Sequence, residues 1–245
     1  KLDPSAFFGM ASDYNDGTAK YITASHLHRF DGNTEIKTVI RKGAYTRDQR
    51  AGTVRNCLRS TNATTGVVTN PECPSVAVAL DTFGPTTILT RGNNAKIQNL
   101  DSLYGQSDYS HKTTAWGFKH EILAGVDYAR ETKDVFSASA VTKPKTTAGR
   151  PFDGASLDES ARAVRRTSAF EAQNIGVYAQ DMVQVAPAWK VLAGLRYDSM
   201  RGNFDTLNAA GVVTAKYAQT IGDWSERVGV LYQPNPLQSY HISWG

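Results

Sequence analysis

Cysteine, long apolar runs and catalytic signatures are what this sequence has least of. The 245 residues include two cysteines, Cys57 and Cys73. Neither has a neighbouring histidine, and they form no Cys-x-x-Cys pair, so they cannot fill a structural zinc site alone. They lie in the polar stretch Asn56 to Pro74, where a loop disulfide is the better reading, and that implies an oxidising compartment. The longest apolar run, Val76 to Leu80, falls far short of the roughly 18 residues of a transmembrane helix. A helical membrane protein is therefore excluded. No Gly-x-Ser-x-Gly, Walker-type loop or zinc-protease motif is present, so the chain is not expected to be an enzyme, and no catalytic residue, metal site or cofactor is assigned. The charge excess is small, +4, and no dense basic stripe points to nucleic acid. The start, Lys1-Leu2-Asp3-Pro4, carries no signal peptide.

Extended segments are abundant instead. Ala19 to Phe30 and Thr34 to Asp48 flank the turn Asp31-Gly32-Asn33. A long polar connection, about Gln49 to Asn94, follows. Lys96 to Tyr109 and Thr114 to Phe136 flank a turn expected at Ser110-His111-Lys112-Thr113. A second long connection spans about Ser137 to Thr167. Phe170 to Val185 and Trp189 to Phe204 flank Ala186-Pro187-Ala188, and a third loop is expected from about Asp205 to Gly222. Trp224 to Gln233, a turn at Pro234 to Gln238 and the start of a strand at Ser239 complete the chain.

These strands exceed the roughly 5–6 residues usual in soluble proteins. Short and long connections alternate, and no helical period appears. Within the strands, side chains alternate with a period of two. Val191/Ala193/Leu195, Val228/Val230 and Ile122/Ala124/Val126 form apolar stripes, each ending in a tyrosine: Tyr197, Tyr232 and Tyr128. Lys190, Arg196 and Asp198 occupy an opposite face. Aromatics closing an apolar band suit a lipid interface, and a barrel wall hides behind an average hydropathy that looks soluble. The inner faces of a soluble sandwich are the competing reading. The pattern thus gives an all-β chain of eight antiparallel, up-and-down strands, each paired with its sequence neighbour, in a sheet that does not close.

Asn174-Ile175-Gly176-Val177-Tyr178-Ala179-Gln180-Asp181, Leu192-Ala193-Gly194-Leu195-Arg196-Tyr197-Asp198 and Ser225-Glu226-Arg227-Val228-Gly229-Val230-Leu231-Tyr232-Gln233-Pro234 carry a family resemblance. Lys119 to Tyr128 and Phe7 to Tyr14 add to it. Together they resemble the barrel of TonB-dependent siderophore receptors of the outer membrane, the catecholate branch in particular. Glu226 stands where that family often has proline. The resemblance implies part of a transmembrane barrel of about 22 strands. Residues 1–245 would be one barrel segment, with the plug domain and remaining strands lying outside it. It also implies import of a ferric siderophore, with iron present only as cargo. The partners would be TonB, acting through the plug, and outer-membrane lipid. The alternatives are a small complete eight-stranded outer-membrane barrel, acting as an adhesin or structural protein, and a soluble β-sandwich binding module.

A ferric catecholate is anionic and aromatic, so arginines and aromatics should receive it. Candidates are Arg41, Tyr45 and Arg47 on the lumen side of the second strand, Arg91 in the first long loop, and Arg165 and Arg166 before the fifth strand. Arg196, Asp198 and Arg227 are expected in the lumen, in ion pairs or against the plug. His26 and His28 share a strand face and could in principle bind a metal, although interfacial strand histidines are commoner.

Overall fold

The computed structural model describes residues 3–245; Lys1 and Leu2, the first half of the Lys1-Leu2-Asp3-Pro4 start, lie outside the described residues. Eight long strands account for most of the chain: β1 (Tyr14–Arg29), β2 (Thr34–Asn56), β5 (Ile88–Ala115), β6 (Phe118–Ala138), β8 (Val164–Ala186), β9 (Trp189–Leu207), β10 (Val213–Asn235) and β11 (Gln238–Trp244). Three two-residue strands, β3 (Ser60–Thr61), β4 (Val68–Thr69) and β7 (Thr146–Thr147), lie in the connections. The long strands are ordered β1-β2-β5-β6-β8-β9-β10-β11 in one open sheet, so each pairs with its neighbours in sequence. Among the described residues β1 and β11 are its edges, as expected. That openness removes the complete eight-stranded barrel, and a single long sheet is not the pair of facing sheets a sandwich requires.

Strand ends differ from the sequence reading. The β5–β6 turn is Trp116-Gly117, not Ser110 to Thr113, which continues β5. Both turn residues have positive φ, 50° and 83°, as a tight two-residue hairpin demands. A tryptophan at such a position gives no turn signal in sequence. The expected loop from Asp205 to Gly222 is mostly strand, because β9 and β10 stay in register from Ala215↔Thr206 to Tyr232↔Trp189. Only residues 208–212 connect them. The Asn208 side chain accepts the N–H groups of Ala210 and Val212, each at 3.0 Å, and closes this tip.

Register settles the faces. Val191↔Val230, Ala193↔Val228 and Tyr197↔Trp224 share one side of the sheet, with Gly194↔Arg227 and Arg196↔Ser225 on the other. On the apolar side, Trp189 packs on Tyr232 at 4.4 Å and Tyr232 faces Tyr240 at 6.3 Å. At the other end Tyr197 meets Trp224 at 5.0 Å. The stripes therefore end in two aromatic belts. Eight residue steps separate Trp189 from Tyr197, roughly 27 Å along the strand or about 20 Å across a bilayer at a 40° tilt. The lipid-facing band of membrane barrels is roughly 25 Å tall. Val177, Leu195 and Val228 are exposed within this band, as a surface meant for lipid rather than for a protein core would be. Two polar features interrupt it. His120 and Asp181 bond each other at 2.6 Å, and Glu226 stands two residues inside Trp224.

The described chain groups into two compact units. One comprises residues up to Thr18, Thr46–Gln98 and Val135–Arg166; the other comprises Ala19–Tyr45, Asn99–Asp134 and Thr167–Gly245. The first unit holds a small core of Met10, Cys57, Cys73, Leu89 and Ala148. Its connections are ordered by pairing: β3 with β4, and β7 with the start of β5 through Ile88↔Thr147. Cys57 and Cys73 form the expected disulfide, with Cα atoms 5.6 Å apart. It closes 16 residues of chain, a loop whose closure stabilises by about 3 kcal/mol in the chain-entropy model. Cys57→Ser with Cys73→Ser should therefore raise protease cleavage between residues 57 and 87, leaving β8–β10 as resistant as before. Equal cleavage in both proteins would show that β3–β4 pairing alone holds the loop.

Candidate functional site

In the second unit, β2 presents Arg41, Gly43 and Tyr45 on one face. Thr38 on the opposite face bonds Ser107 across to β5 at 3.0 Å, which places Arg41 and Tyr45 on the same side as Gln106 and Asp108. The Arg41 guanidinium lies 4.2 Å from the centre of the Tyr21 ring, a cation–π contact. Its Nη2 donates to the Tyr45 hydroxyl at 3.5 Å. Gly43 makes room for this arrangement, since a Cβ there would stand 2.6 Å from the Tyr45 hydroxyl oxygen. Arg41 is exposed, so its remaining donors face outward. An arginine held between two phenols can offer charge, hydrogen bonds and ring faces to a flat anionic ligand. Tyr21 escaped notice in the sequence because both faces of β1 are equally mixed.

The other candidate arginines divide. Arg47 falls in the first unit, half-buried, where it donates to Asn15 Oδ1 at 3.2 Å and to Gln49. Arg165 and Arg166 are exposed within β8 rather than before it, and as strand neighbours they point to opposite faces. Arg162, just ahead of β8, is half-buried and bonds Asp48 and Tyr14. Arg91 corrects its expected placement. It lies in β5, not in a loop, and its side chain is fully buried. It donates to Phe8 O at 2.7 Å, Pro144 O at 3.0 Å and Asp153 Oδ1 at 2.7 Å. Arg50 is likewise buried, against Glu159 at 2.6 Å and Asp13 at 3.6 Å. Lys143 reaches the carbonyls of Ala51 and Gly92, and burial pushes its amine below the usual lysine range. These cations, each linking distant parts of the chain, organise the first unit.

On the polar face of β8–β10 two of the three expected charges, Arg196 and Asp198, meet in a network, whereas Arg227 makes no hydrogen bond or ion pair among the described residues. Arg196 reaches past β8 to Asp127 on β6 at 2.7 Å and also holds Asp198 at 2.6 Å. It crosses at Gly176, where any Cβ would collide with the guanidinium. Tyr178 does the same one strand over. Its ring lies on Gly125, 2.5 Å from where a Cβ would stand, and its hydroxyl donates to Asp108 on β5. Gln106 Nε2 donates to that same hydroxyl at 3.0 Å. The guanidinium of Arg196 lies 5.3 Å from the Tyr178 ring. Lys190 repeats the pattern with Glu121 at 2.9 Å. Gly125 and Gly176, like Gly43 on β2, are thus strand glycines that close approach requires. A Cβ at Gly229 would meet only ordinary contacts, 3.4 Å and beyond.

An open sheet of long hairpins, lipid-like on one face and ion-paired on the other, is the geometry of an outer-membrane barrel wall. The family model for the TonB dependent receptor-like β-barrel matches residues 2–245. The chain belongs to this TonB-dependent receptor barrel family. Members are outer-membrane proteins, receptors and transporters rather than enzymes. The chain is 24 % identical over 215 residues to the catecholate siderophore receptor Fiu of Escherichia coli K12, covering 86 % of itself and 26 % of that receptor. It thus spans about a quarter of the length of this relative. In structure it is similar to the open form of Fiu, a ferric-catecholate import receptor, with a TM-score of 0.79 at 20 % identity, over 99 % of this chain and 37 % of that one. The siderophore receptor PiuA of Acinetobacter baumannii aligns with a TM-score of 0.77 at 14 % identity, over 99 % and 34 %.

Two outcomes follow for the barrel wall. Gly125→Val should force the Tyr178 ring off its strand and destabilise by about 1–3 kcal/mol, read from urea unfolding in detergent. An unchanged midpoint would show that the ring swings aside freely. In the first unit, burial raises the Asp153 carboxyl, but hydrogen bonds from Arg91 and the Ala155 amide outweigh that and hold it below 3.8. A carboxylate lowered in the folded state stabilises fully above about pH 4 and ceases to as pH falls through its depressed value. Hydrogen-exchange protection of residues 144–155 should fall on acidification below pH 4. Asp153→Asn should lose that step and be less protected at neutral pH; an identical acid response in both would remove Asp153 as its cause.

Proposed function

We propose that this chain forms part of the wall of an outer-membrane receptor that imports ferric siderophores, driven by TonB through a plug domain. The observation that carries the reading is the Tyr21–Arg41–Tyr45 cluster on the polar face of a wall of this family. Import of a ferric chelate needs a recognition surface inside the barrel, and a ferric catecholate combines negative charge with aromatic rings. Arg41 supplies the charge and the two phenols supply ring faces. Fiu and PiuA, named as siderophore receptors, agree with this class of cargo. The apolar band between the aromatic belts agrees with residence among outer-membrane lipids. Arg47 adds positive charge on β2, Arg165 and Arg166 point to opposite faces of β8 so that only one of them shares the polar face, and Arg91 serves to hold its surroundings in place.

The test is uptake of radiolabelled ferric siderophore by cells carrying the complete receptor. Uptake should require TonB. Arg41→Ala with Arg47→Ala should weaken binding without lowering surface expression. Arg41→Ala alone, which removes the cation between the phenols, should account for most of that loss. Unchanged affinity in the double variant would remove this cluster as the binding site, and no uptake by the unaltered receptor would overturn the function.

A further inference from the structure

A cavity of about 260 Å³ opens on the apolar side of the sheet, lined by Lys42, Asp101, Ser102, Leu103, Arg130 and Thr132. Alternation fixes the face. Lys42 shares the side of Thr38, which bonds Ser107 across to β5, and Leu103 and Asp101 share the side of Ser107. Arg130 continues the stripe of Ile122, Ala124, Val126 and Tyr128. These side chains therefore turn away from Arg41 and Tyr45, toward lipid, where a cargo in the lumen never passes. β2 lies between β1 and β5, and β6 between β5 and β8, so strands of this chain bound the cavity on both sides.

Its depth is that of a headgroup. Arg130 stands two residues beyond Tyr128, roughly 7 Å along the strand or about 5 Å along the membrane normal at a 40° tilt. β2 and β6 both run here toward the long connections, residues 57–87 and 139–163. In outer-membrane barrels the long connections are extracellular, which puts the cavity in the outer leaflet. Lys42 is exposed and has no hydrogen bond or ion pair among the described residues. Glu171 takes the Nε and Nη2 side of Arg130, at 2.9 and 2.8 Å, and leaves Nη1 free to donate. Leu103, on the strand between these two cations, is 40 % exposed and gives the cavity an apolar floor. Asp101 is exposed on the same wall, and its carboxylate is not paired with Lys42.

We infer that this cavity binds the phosphorylated sugar headgroup of a glycolipid in the outer leaflet. The inference rests on the outer-membrane part of the proposed reading, not on the cargo. A phosphate would accept from Lys42 Nζ and Arg130 Nη1, a sugar hydroxyl would donate to Asp101, and the acyl chains would pass over Leu103 into the apolar band. The volume is below the roughly 300 Å³ at which small-molecule pockets begin, so it takes the phosphate and the adjoining part of the sugar, with the rest of the lipid in the bilayer.

The experiment uses the complete receptor, stripped of lipid in detergent and placed in phosphatidylcholine nanodiscs. A phosphorylated, acylated disaccharide is titrated in, and the retained copies are counted by native mass spectrometry. Lys42→Ala, which breaks no bond of the fold, should weaken retention roughly tenfold. Lys42→Arg should restore most of it, Asp101→Ala should weaken it, and Arg41→Ala on the other face should leave it unchanged. The dephosphorylated disaccharide should not be retained. Equal retention by Lys42→Ala and the unaltered receptor would overturn the site. Equal competition by phosphatidylglycerol would overturn it as a glycolipid site, and displacement by inorganic phosphate alone would make it a free-anion site. Siderophore uptake is scored on the same receptor: import without retained glycolipid refutes this site alone, and retained glycolipid without import refutes only the import reading.

Discussion

The polar face of β5–β9 depends on side chains that reach over one strand to bond the next. Neighbouring strands are joined by backbone hydrogen bonds, but these act only between nearest neighbours. Arg196 and Tyr178 couple second neighbours, and they can do so because Gly176 and Gly125 leave the intervening strand bare. A glycine inside a strand costs backbone entropy and side-chain packing, so its presence needs a compensating contact. Here the compensation is a charge-assisted bond across three strands. The result stiffens a sheet that has almost no buried apolar side chains of its own in this unit.

The two faces solve different problems. The apolar face needs no partner from the protein, since lipid is as good a solvent for valine and leucine as a core would be. Its aromatic belts locate the hydrocarbon boundary on both sides. On the polar face, Arg196 and Lys190 meet carboxylates of other strands instead. Had the chain been a soluble sandwich, the apolar stripes would have been buried against a second sheet rather than left exposed.

The first unit is organised by buried cations rather than by a hydrophobic core. Arg50, Arg91 and Lys143 each join segments far apart in sequence, with Arg91 binding Phe8, Pro144 and Asp153. Removing one partner of such a buried pair leaves an uncompensated charge, which is strongly destabilising. The connection between residues 139 and 163 is therefore tied to the rest of the first unit through Pro144, Lys143 and Asp153. Here loop order comes from ion pairs, a disulfide and short strand pairs, none of which moves without breaking several bonds.

Much was legible before the fold. Alternation in Trp189 to Tyr197 and Ser225 to Tyr232 gave the faces, because a period of two is a local property of an extended chain. The hairpin at Pro187 was legible for the same reason, as proline and its neighbours constrain the backbone locally. The loop disulfide could be read from two cysteines with no competing ligand nearby. Turn position at Trp116-Gly117 was not legible, since a tryptophan carries no local preference for positive φ and only strand pairing on both sides imposes it. The fate of the arginines was beyond reach as well. Arg41, Arg91 and Arg196 look alike in sequence, yet one is exposed between phenols, one is buried among carbonyls and one bridges strands. Their partners stand up to 83 residues away, as for Arg91 and Phe8, and the strand order alone brings them together. Local alternation determined which side each residue faces; tertiary pairing decided which charges were left free to act, because long-range neighbours set the electrostatics.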